Sequence, residues 1–241
     1  MKPIFSVVIP CYNEEPNLIQ LFKKVLDLLN AYPSGEVILV NNGSKDNSLH
    51  LLDTFKTENN TKNISICNVV ENKGYGFGIL AGLKLANSDI LSWTHADLQT
   101  DLLDVGKAFE LFQAKLGQNN DYFLVKGYRV NRKFAETALS YGMATIASIQ
   151  LRSWMQEINA QPKMFSRVFY ENVKKDAPWD FSLDLYWMYS AKKMGTIATF
   201  PVQFIPRTAG EAKGGSGSSL KTKWKIIKRT FKYINQLTAK N

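Results

Sequence analysis

Side chains able to bind ions, amides or phosphates concentrate in a few short stretches of this 241-residue chain, and four of these follow directly on apolar runs. They are Cys11-Tyr12-Asn13-Glu14, Asn41-Asn42, Asn72-Lys73-Gly74 and His95-Ala96-Asp97-Leu98-Gln99. The last sets imidazole, carboxylate and amide oxygen at one strand end. A cluster of hard ligands there can hold a divalent ion, which in turn can bridge and neutralise phosphate oxygens. In the plain structural alternative, His95 caps a strand and Asp97 starts a helix. Asn41 and Asn42 can donate as well as accept hydrogen bonds, unlike a carboxylate; followed by Gly43, they equally suit a turn. Two further groups of cations, Arg129 with Arg132 and Arg207 with Lys213, suit phosphate oxygens. A solvated turn and a surface linker would carry the same residues. Asp180 and Asp184 are the carboxylates available as a base, should the nucleophile be a hydroxyl.

These residues need a scaffold that gathers strand ends. Short apolar runs alternate with longer amphipathic ones in the first half, the pattern of successive β-α units on a parallel sheet. Strands are expected at Phe5–Ile9 (ended by Pro10), Glu36–Val40, Ile64–Val70 and Ile90–Thr94, with helices over Glu15–Leu29, about Asn47–Lys56 and, after a Gly-rich turn at Gly74, up to Leu85. In such sheets ligands bind outside the carboxyl ends of the strands, so the four stretches share one edge. The second half is expected to hold a helix at about Val105–Leu116, a strand around Phe123–Lys126 and an amphipathic helix at about Phe134–Trp154. A helix at Asp184–Met194, a strand at Gly195–Ile205 and a flexible loop at Gly210–Ser219 follow. The expected fold is therefore α/β, with a Rossmann-like, mostly parallel central sheet flanked by helices, over residues 1–215. Residues 216–241 form a basic amphipathic helix, with Leu220, Trp224, Ile227, Phe231 and Ile234 on one stripe.

With 45% hydrophobic residues the chain is an ordered globular protein able to bury a sizeable core. Its two cysteines make no disulfide framework, and a reducing cytosol is expected. The first apolar run stops at a proline, as a strand does and a signal peptide does not. No window has the roughly 18 apolar residues of a membrane span. Thirty Lys and Arg against 21 Asp and Glu give a net charge of +9, which suggests an anionic partner. The excess lies in the tail, where residues 213–240 hold no acid.

Ser6-Val7-Val8-Ile9-Pro10-Cys11-Tyr12-Asn13-Glu14, Glu36 to Asp46, Asn72-Lys73-Gly74-Tyr75-Gly76 and His95 to Gln99, in that order and spacing, resemble family-two glycosyltransferases of the GT-A fold. With Phe200-Pro201-Val202 and Arg207 to Lys213, the resemblance is closest to the polyprenyl-phosphate, or dolichol-phosphate mannose synthase-like, branch. It implies a metal-dependent, inverting transfer of a sugar from a nucleotide-sugar donor to a lipid-linked phosphate or glycan acceptor. The family's acidic metal motif has histidine first here, so the implied ligands are His95, Asp97 and Gln99, with Mn or Mg as the ion; imidazole beside carboxylate suits Mn better. Donor-binding positions carry over to Pro10, Tyr12, Glu14, Asn42, Asp46, Lys73, Gly74, Ala96, Arg207 and Lys213. Asp46 would look the same as a helix cap. Catalytic positions carry over to Asp97, Arg129, Arg132 and Asp184, the arginines as a clamp for an acceptor phosphate. Gln161, Lys163 and Arg167 lie where further acceptor-side residues occur. Asn41-Asn42 replaces two aspartates, which leaves the base recognised open.

Gly74-Tyr75-Gly76-Phe77-Gly78 lacks the first-strand context of a dinucleotide loop, so NAD is not expected. Nor is nucleic acid, because the cations are not interleaved with a known binding motif. A nucleotide-binding scaffold without catalysis and a basic nucleic-acid-binding module are the remaining rivals. The cationic tail helix suits peripheral contact with anionic lipid at the inner face of a membrane, or packing on the catalytic domain.

Overall fold

β1 (Ser6–Cys11) is buried along almost its whole length, as a strand between two parallel neighbours must be. In the computed structural model of the protein, residues 2–59, 62–116, 123–131, 144–145, 147–207 and 220–239 are described, the side chains of the last segment only from 228 to 238. After β1 come α1 (Glu15–Ala31), β2 (Glu36–Asn42), α2 (Ser48–Glu58), β3 (Ile64–Val69), α3 (Tyr75–Leu85), β4 (Ile90–Trp93) and α4 (Asp104–Lys115). The second half holds β5 (Phe123–Val130), β6 (Lys163–Ser166), α5 (Arg167–Val173), α6 (Leu183–Met194), β7 (Thr196–Gln203) and α7 (Leu220–Ala239). The sheet order is β3-β2-β1-β4-β6-β5-β7. β6 alone runs against the rest, pairing antiparallel with both β4 and β5.

Alternation of side chains along the strands divides the core into two layers. Val7, Ile9, Val37, Leu39, Val125 and Met164 face the layer of α1, α2 and α4. There Leu18, Leu21, Val25 and Leu28 of α1 are fully buried, each contributing roughly 2 kcal/mol. Val8, Ile38, Val40, Trp93, Leu124 and Phe165 face α3, α5 and α6. A Cβ on Gly82 would come 2.5 Å from a Val8 methyl, so glycine lets α3 lie close on β1 and β2.

The mostly parallel, helix-flanked sheet agrees with the expectation; several boundaries differ. β1 passes through Pro10, paired with Val40, because the proline costs the strand only one donor. β5 extends four residues beyond Lys126, carried by its pairing with β7 up to Val130↔Gln203. Strand β6 and helix α5 are additional. Most of the expected helix at 134–154 lies outside the described residues. Its described end stops at about Gln150, where Ser148 Oγ accepts from Met155 N–H at 2.7 Å and Arg152 turns to φ 49°.

The distal part of α7 packs on the domain. Ile234 and Leu237 are buried in the α3/α6 layer, Tyr233 meets Tyr186 edge-on at 6.5 Å, and Arg229 Nε lies 3.4 Å from Asp180 Oδ2. The side chains of Leu220, Trp224 and Ile227 lie outside the described residues. Among the described residues no helix is long and apolar enough to cross a membrane.

Candidate active site

The β4 end carries the centre of the site. His95 follows β4 with its ring partly exposed, and its Nδ1 lies 3.9 Å from Asp97 Oδ2. That spacing is within an ångström of the roughly 3 Å between adjacent ligands on an ion holding each at about 2.1 Å. Asp97 Oδ1 accepts from the backbone N–H of Gln99 at 3.2 Å, across Leu98, which is held at φ 58°. The amide nitrogen of Gln99 reaches the Ile205 carbonyl at 3.4 Å, so its oxygen is the atom left for a ligand. Among the described residues no third His, Cys, Asp or Glu joins His95 and Asp97 in a group that could hold a metal. An imidazole and a carboxylate with remaining positions open nevertheless fit an ion that completes its shell with substrate phosphate oxygens and water.

Arg207, just after β7, reaches across the edge. Its Nη2 lies 3.1 Å from Asp97 Oδ2 and 3.3 Å from Glu14 Oε1, which joins the loops after β1, β4 and β7. Burial would raise the Asp97 carboxyl, but the neighbouring His95 imidazole and then the Arg207 guanidinium outweigh it. They hold it well below the usual carboxylate range. Glu14 is further fixed by Asn17 Nδ2 at 2.6 Å.

Around this centre, most of the expected donor residues brace the loops. Asp46 accepts from the backbone N–H groups of Ser48 and Glu15, at 3.0 and 3.2 Å. Burial pushes its carboxyl up, and these bonds with the Ser48 hydroxyl bring it below its ordinary value. Asn41 bonds Asn68 and accepts from Ser44 N–H, while Asn42 Nδ2 donates to the Gly74 carbonyl at 3.1 Å. Asn42 Oδ1 is buried against Gly78 of α3 without a hydrogen-bond partner. Gly74, at φ 128°, admits no side chain, because a Cβ would stand 2.2 Å from the Trp179 carbonyl. Tyr12 is half-buried, Pro10 and Ala96 lie on β1 and after β4, and the exposed Lys73 covers the Phe77 ring at 5.5 Å.

A buried ionic cluster lies behind the site, at the adjoining ends of β5 and β6. Lys163 is fully buried, pairs with Asp184 at the start of α6 and donates to the Ala160 carbonyl. Gln161 Nε2 donates to Asp184 Oδ1 at 3.0 Å, and Gln161 Oε1 is buried without a partner. Burial pulls the Lys163 ammonium below its ordinary range against the attraction of Asp184. Its cross-strand neighbour Lys126 is pushed down to about 7, by burial and then by Lys163. Arg129 Nε meets Glu157 Oε2 at 2.6 Å. Arg132 and Lys213 lie outside the described residues. Arg167 belongs to the opposite edge, where it caps the Ala86 and Ser88 carbonyls, because antiparallel β6 carries the chain back across the sheet. Sequence reasoning assigned no role to Tyr75, Lys126 or Glu157; the signal for Lys126 was its place within an apolar strand.

Residues 6–173 match the family described as Glycosyl transferase family 2. The chain is similar to a dolichyl-phosphate beta-glucosyltransferase of Dictyostelium discoideum, at 23% identity over 95% of this chain and 74% of that protein. It is also similar to an undecaprenyl-phosphate 4-deoxy-4-formamido-L-arabinose transferase of Pseudomonas fluorescens (strain SBW25), at 34% identity over 55% of this chain but only 38% of that protein. Among solved structures, glucosyl-3-phosphoglycerate synthase from Mycobacterium tuberculosis, in complex with Mn2+, uridine diphosphate and glucosyl-3-phosphoglycerate, superposes with a TM-score of 0.68. The identity is 16%, over 95% of this chain and 77% of that one. A mannosyltransferase from Pyrobaculum calidifontis, with GDP-Man and Mn2+, gives 0.63 at 15% identity, over 87% and 59%. These likenesses agree on the GT-A arrangement of strands, and with the family match covering well over half its length, the chain belongs to glycosyl transferase family 2.

Proposed function

We propose that the protein transfers a sugar from a nucleotide-sugar donor to a lipid-linked phosphate, with inversion at the anomeric carbon. The observation that carries this choice of acceptor is the engagement of both candidate bases. Asp184 is buried in its pair with Lys163, and Asp180 accepts from Ser182 N–H at 2.8 Å and faces Arg229. A hydroxyl acceptor needs a base. A phosphate is already ionised and needs only to be positioned, a task for Arg129, held by Glu157 at the strand edge, and for Arg132. The dolichyl- and undecaprenyl-phosphate names of the relatives agree.

The donor lies along the edge built by Tyr12, Glu14, Asn42, Lys73, Gly74 and Ala96, with Asp46 holding the first two loops together. Arg207 and Lys213 set positive charge beside the diphosphate as it leaves. A divalent ion held by His95, Asp97 and Gln99, Mn2+ or Mg2+, would add Lewis-acid stabilisation of the same leaving group. Asp184 acts by holding its neighbours in place.

The test is incubation with a polyprenyl phosphate and UDP-, GDP-, dTDP- or CDP-sugars, with and without Mn2+, followed by mass spectrometry of the lipid fraction. One donor class should yield a glycosylated lipid phosphate and should also raise the thermal midpoint. Transfer to a glycan hydroxyl, with none to lipid phosphate, would overturn the choice of acceptor.

A further inference from the structure

We infer that Arg207 is the resting counter-cation of Asp97 and Glu14, so that the ion site stays closed to a bare divalent cation and opens when a diphosphate draws the guanidinium away. The inference rests on the proposed ion site at Asp97 and on the proposed place of Arg207 beside the diphosphate. It does not depend on the acceptor.

The two oxygens of Asp97 have separate partners. Oδ1 accepts from Gln99 N–H at 3.2 Å, while Oδ2 lies 3.9 Å from His95 Nδ1 and 3.1 Å from Arg207 Nη2. The oxygen on the side of the imidazole, which would share an ion with it, is therefore the one that the guanidinium holds. The same Nη2 lies 3.3 Å from Glu14 Oε1. One nitrogen thus serves two carboxylates, carried by the loops after β1 and β4. The side chains of Glu14, Asp97 and Arg207 are 9%, 11% and 16% exposed, so solvent and salt screen their charges little. An ion and a guanidinium on the same carboxylate oxygen are like charges a few ångströms apart. In so poorly screened a place they exclude one another unless further anionic oxygens arrive.

A diphosphate supplies those oxygens. The planar guanidinium binds phosphate as it binds carboxylate, through N–H donors in a fixed fork, so Arg207 can leave Asp97 without losing an anionic partner, and the carboxylate oxygen passes to the ion. The surroundings allow the side chain to move by itself. Ile205 N–H donates to the Gln99 carbonyl at 2.9 Å, and the Gln99 amide donates to the Ile205 carbonyl at 3.4 Å. These two bonds tie the chain, two residues before Arg207, to the loop that carries Asp97. Glu14 keeps an anchor of its own, because Asn17 Nδ2 donates to its other oxygen, Oε2, at 2.6 Å. Ion and diphosphate therefore enter together, each favouring the other.

Mn2+ titrated alone and followed by electron paramagnetic resonance tests this without donor sugar or acceptor. Arg207→Gln should bind Mn2+ on the order of 10-fold more tightly than the parent, the reverse of what losing a merely structural contact would do. The gain should disappear when Asp97→Asn is added. In crystals of the parent, where no variant has to fold, Mn2+ alone should leave Arg207 on Asp97. Mn2+ with inorganic pyrophosphate should place an ion at Asp97 and the guanidinium on phosphate oxygens. Weaker Mn2+ binding by Arg207→Gln, a gain that survives Asp97→Asn, or an ion on Asp97 Oδ2 with Arg207 still in contact would overturn the inference. Equal binding by parent and variant would overturn it and leave the ion site standing, whereas Mn2+ held by neither would overturn the ion site along with it. No readout involves sugar transfer, so an error in the proposed acceptor changes none of these results.

Discussion

Replacing Lys126 by methionine should stabilise the protein near neutrality, and the gain should shrink as pH rises. Lys126 is 1% exposed and stands opposite Lys163 across the β5–β6 ladder, where like charges repel. Its ammonium has an ordinary value of 10.5 and a folded value of about 7. Between those values the unfolded chain binds more protons than the folded one, so stability rises with pH through this window. Below about 7 the full penalty for the buried charge is present; above 10.5 none remains. From pH 7 to pH 9 the parent should recover about 2 kcal/mol, because each full unit is worth about 1.4 kcal/mol and the folded lysine is only half-protonated at the start. Methionine keeps the stem volume and removes the charge. Urea unfolding of parent and variant at both pH values measures the difference, and groups common to both cancel. A stability gap that stays constant from pH 7 to 9, or a less stable variant at pH 7, would refute the reasoning.

Asp97→Ala should lower turnover by on the order of 100-fold or more, because it removes the charge that would hold the ion; sugar transfer at the parent rate under saturating donor would remove Asp97 from the chemistry. Arg207→Ala should raise donor KM and lower kcat together, and steady-state kinetics that leave both unchanged would make its contacts with Glu14 and Asp97 purely structural. A chain ending at Ser219 should lose roughly 3–5 kcal/mol in urea unfolding, the loss of Ile234 and Leu237 from the core. In flotation with anionic vesicles, binding of the full chain should disappear at high salt, since part of the apolar stripe is used within the protein and its exposed Lys228 and Lys232 are left for headgroups.

β1, β2 and β4 were legible as short apolar runs bounded by polar residues, and β3 as a more mixed run of β-branched and small residues on the sheet edge. β6 was not legible. It is four residues long, opens with a lysine after a proline, and owes its place to partners on β4 and β5 that are distant in sequence. Its reversal also explains why Lys163 and Arg167, four residues apart, serve opposite edges. Arg167 reads as one more cation in sequence, and only the turn of the chain takes it from the site. His95, Asp97 and Arg207 were singled out through the family resemblance, and the fold brings the three side chains together at one edge. The functions of Asn41 and Asp46 were not legible, since an amide or carboxylate that braces a loop has the same letter as one that binds a base.

The ligand edge is also where the backbone departs from ordinary conformations. Asn13, Leu98, Asn131 and Glu157 have φ between 48° and 61°, a region unfavourable to any residue with a Cβ, and each flanks or forms part of the site. Such positions cost on the order of 1 kcal/mol or more and persist only when their surroundings determine them. Side-chain bonds here do so: Asn13 Oδ1 accepts from Lys45 N–H at 2.8 Å, Asn131 Nδ2 donates to Gln203 Oε1, and Glu157 holds Arg129. At Leu98 the bond from Gln99 N–H to Asp97 fixes the turn and aims the carboxylate at once. The strain and the ligand geometry therefore have one cause. A substitution that frees the turn at Leu98, such as Leu98→Gly, would relieve the backbone and loosen Asp97 in the same step, so a more relaxed loop would come with a weaker site.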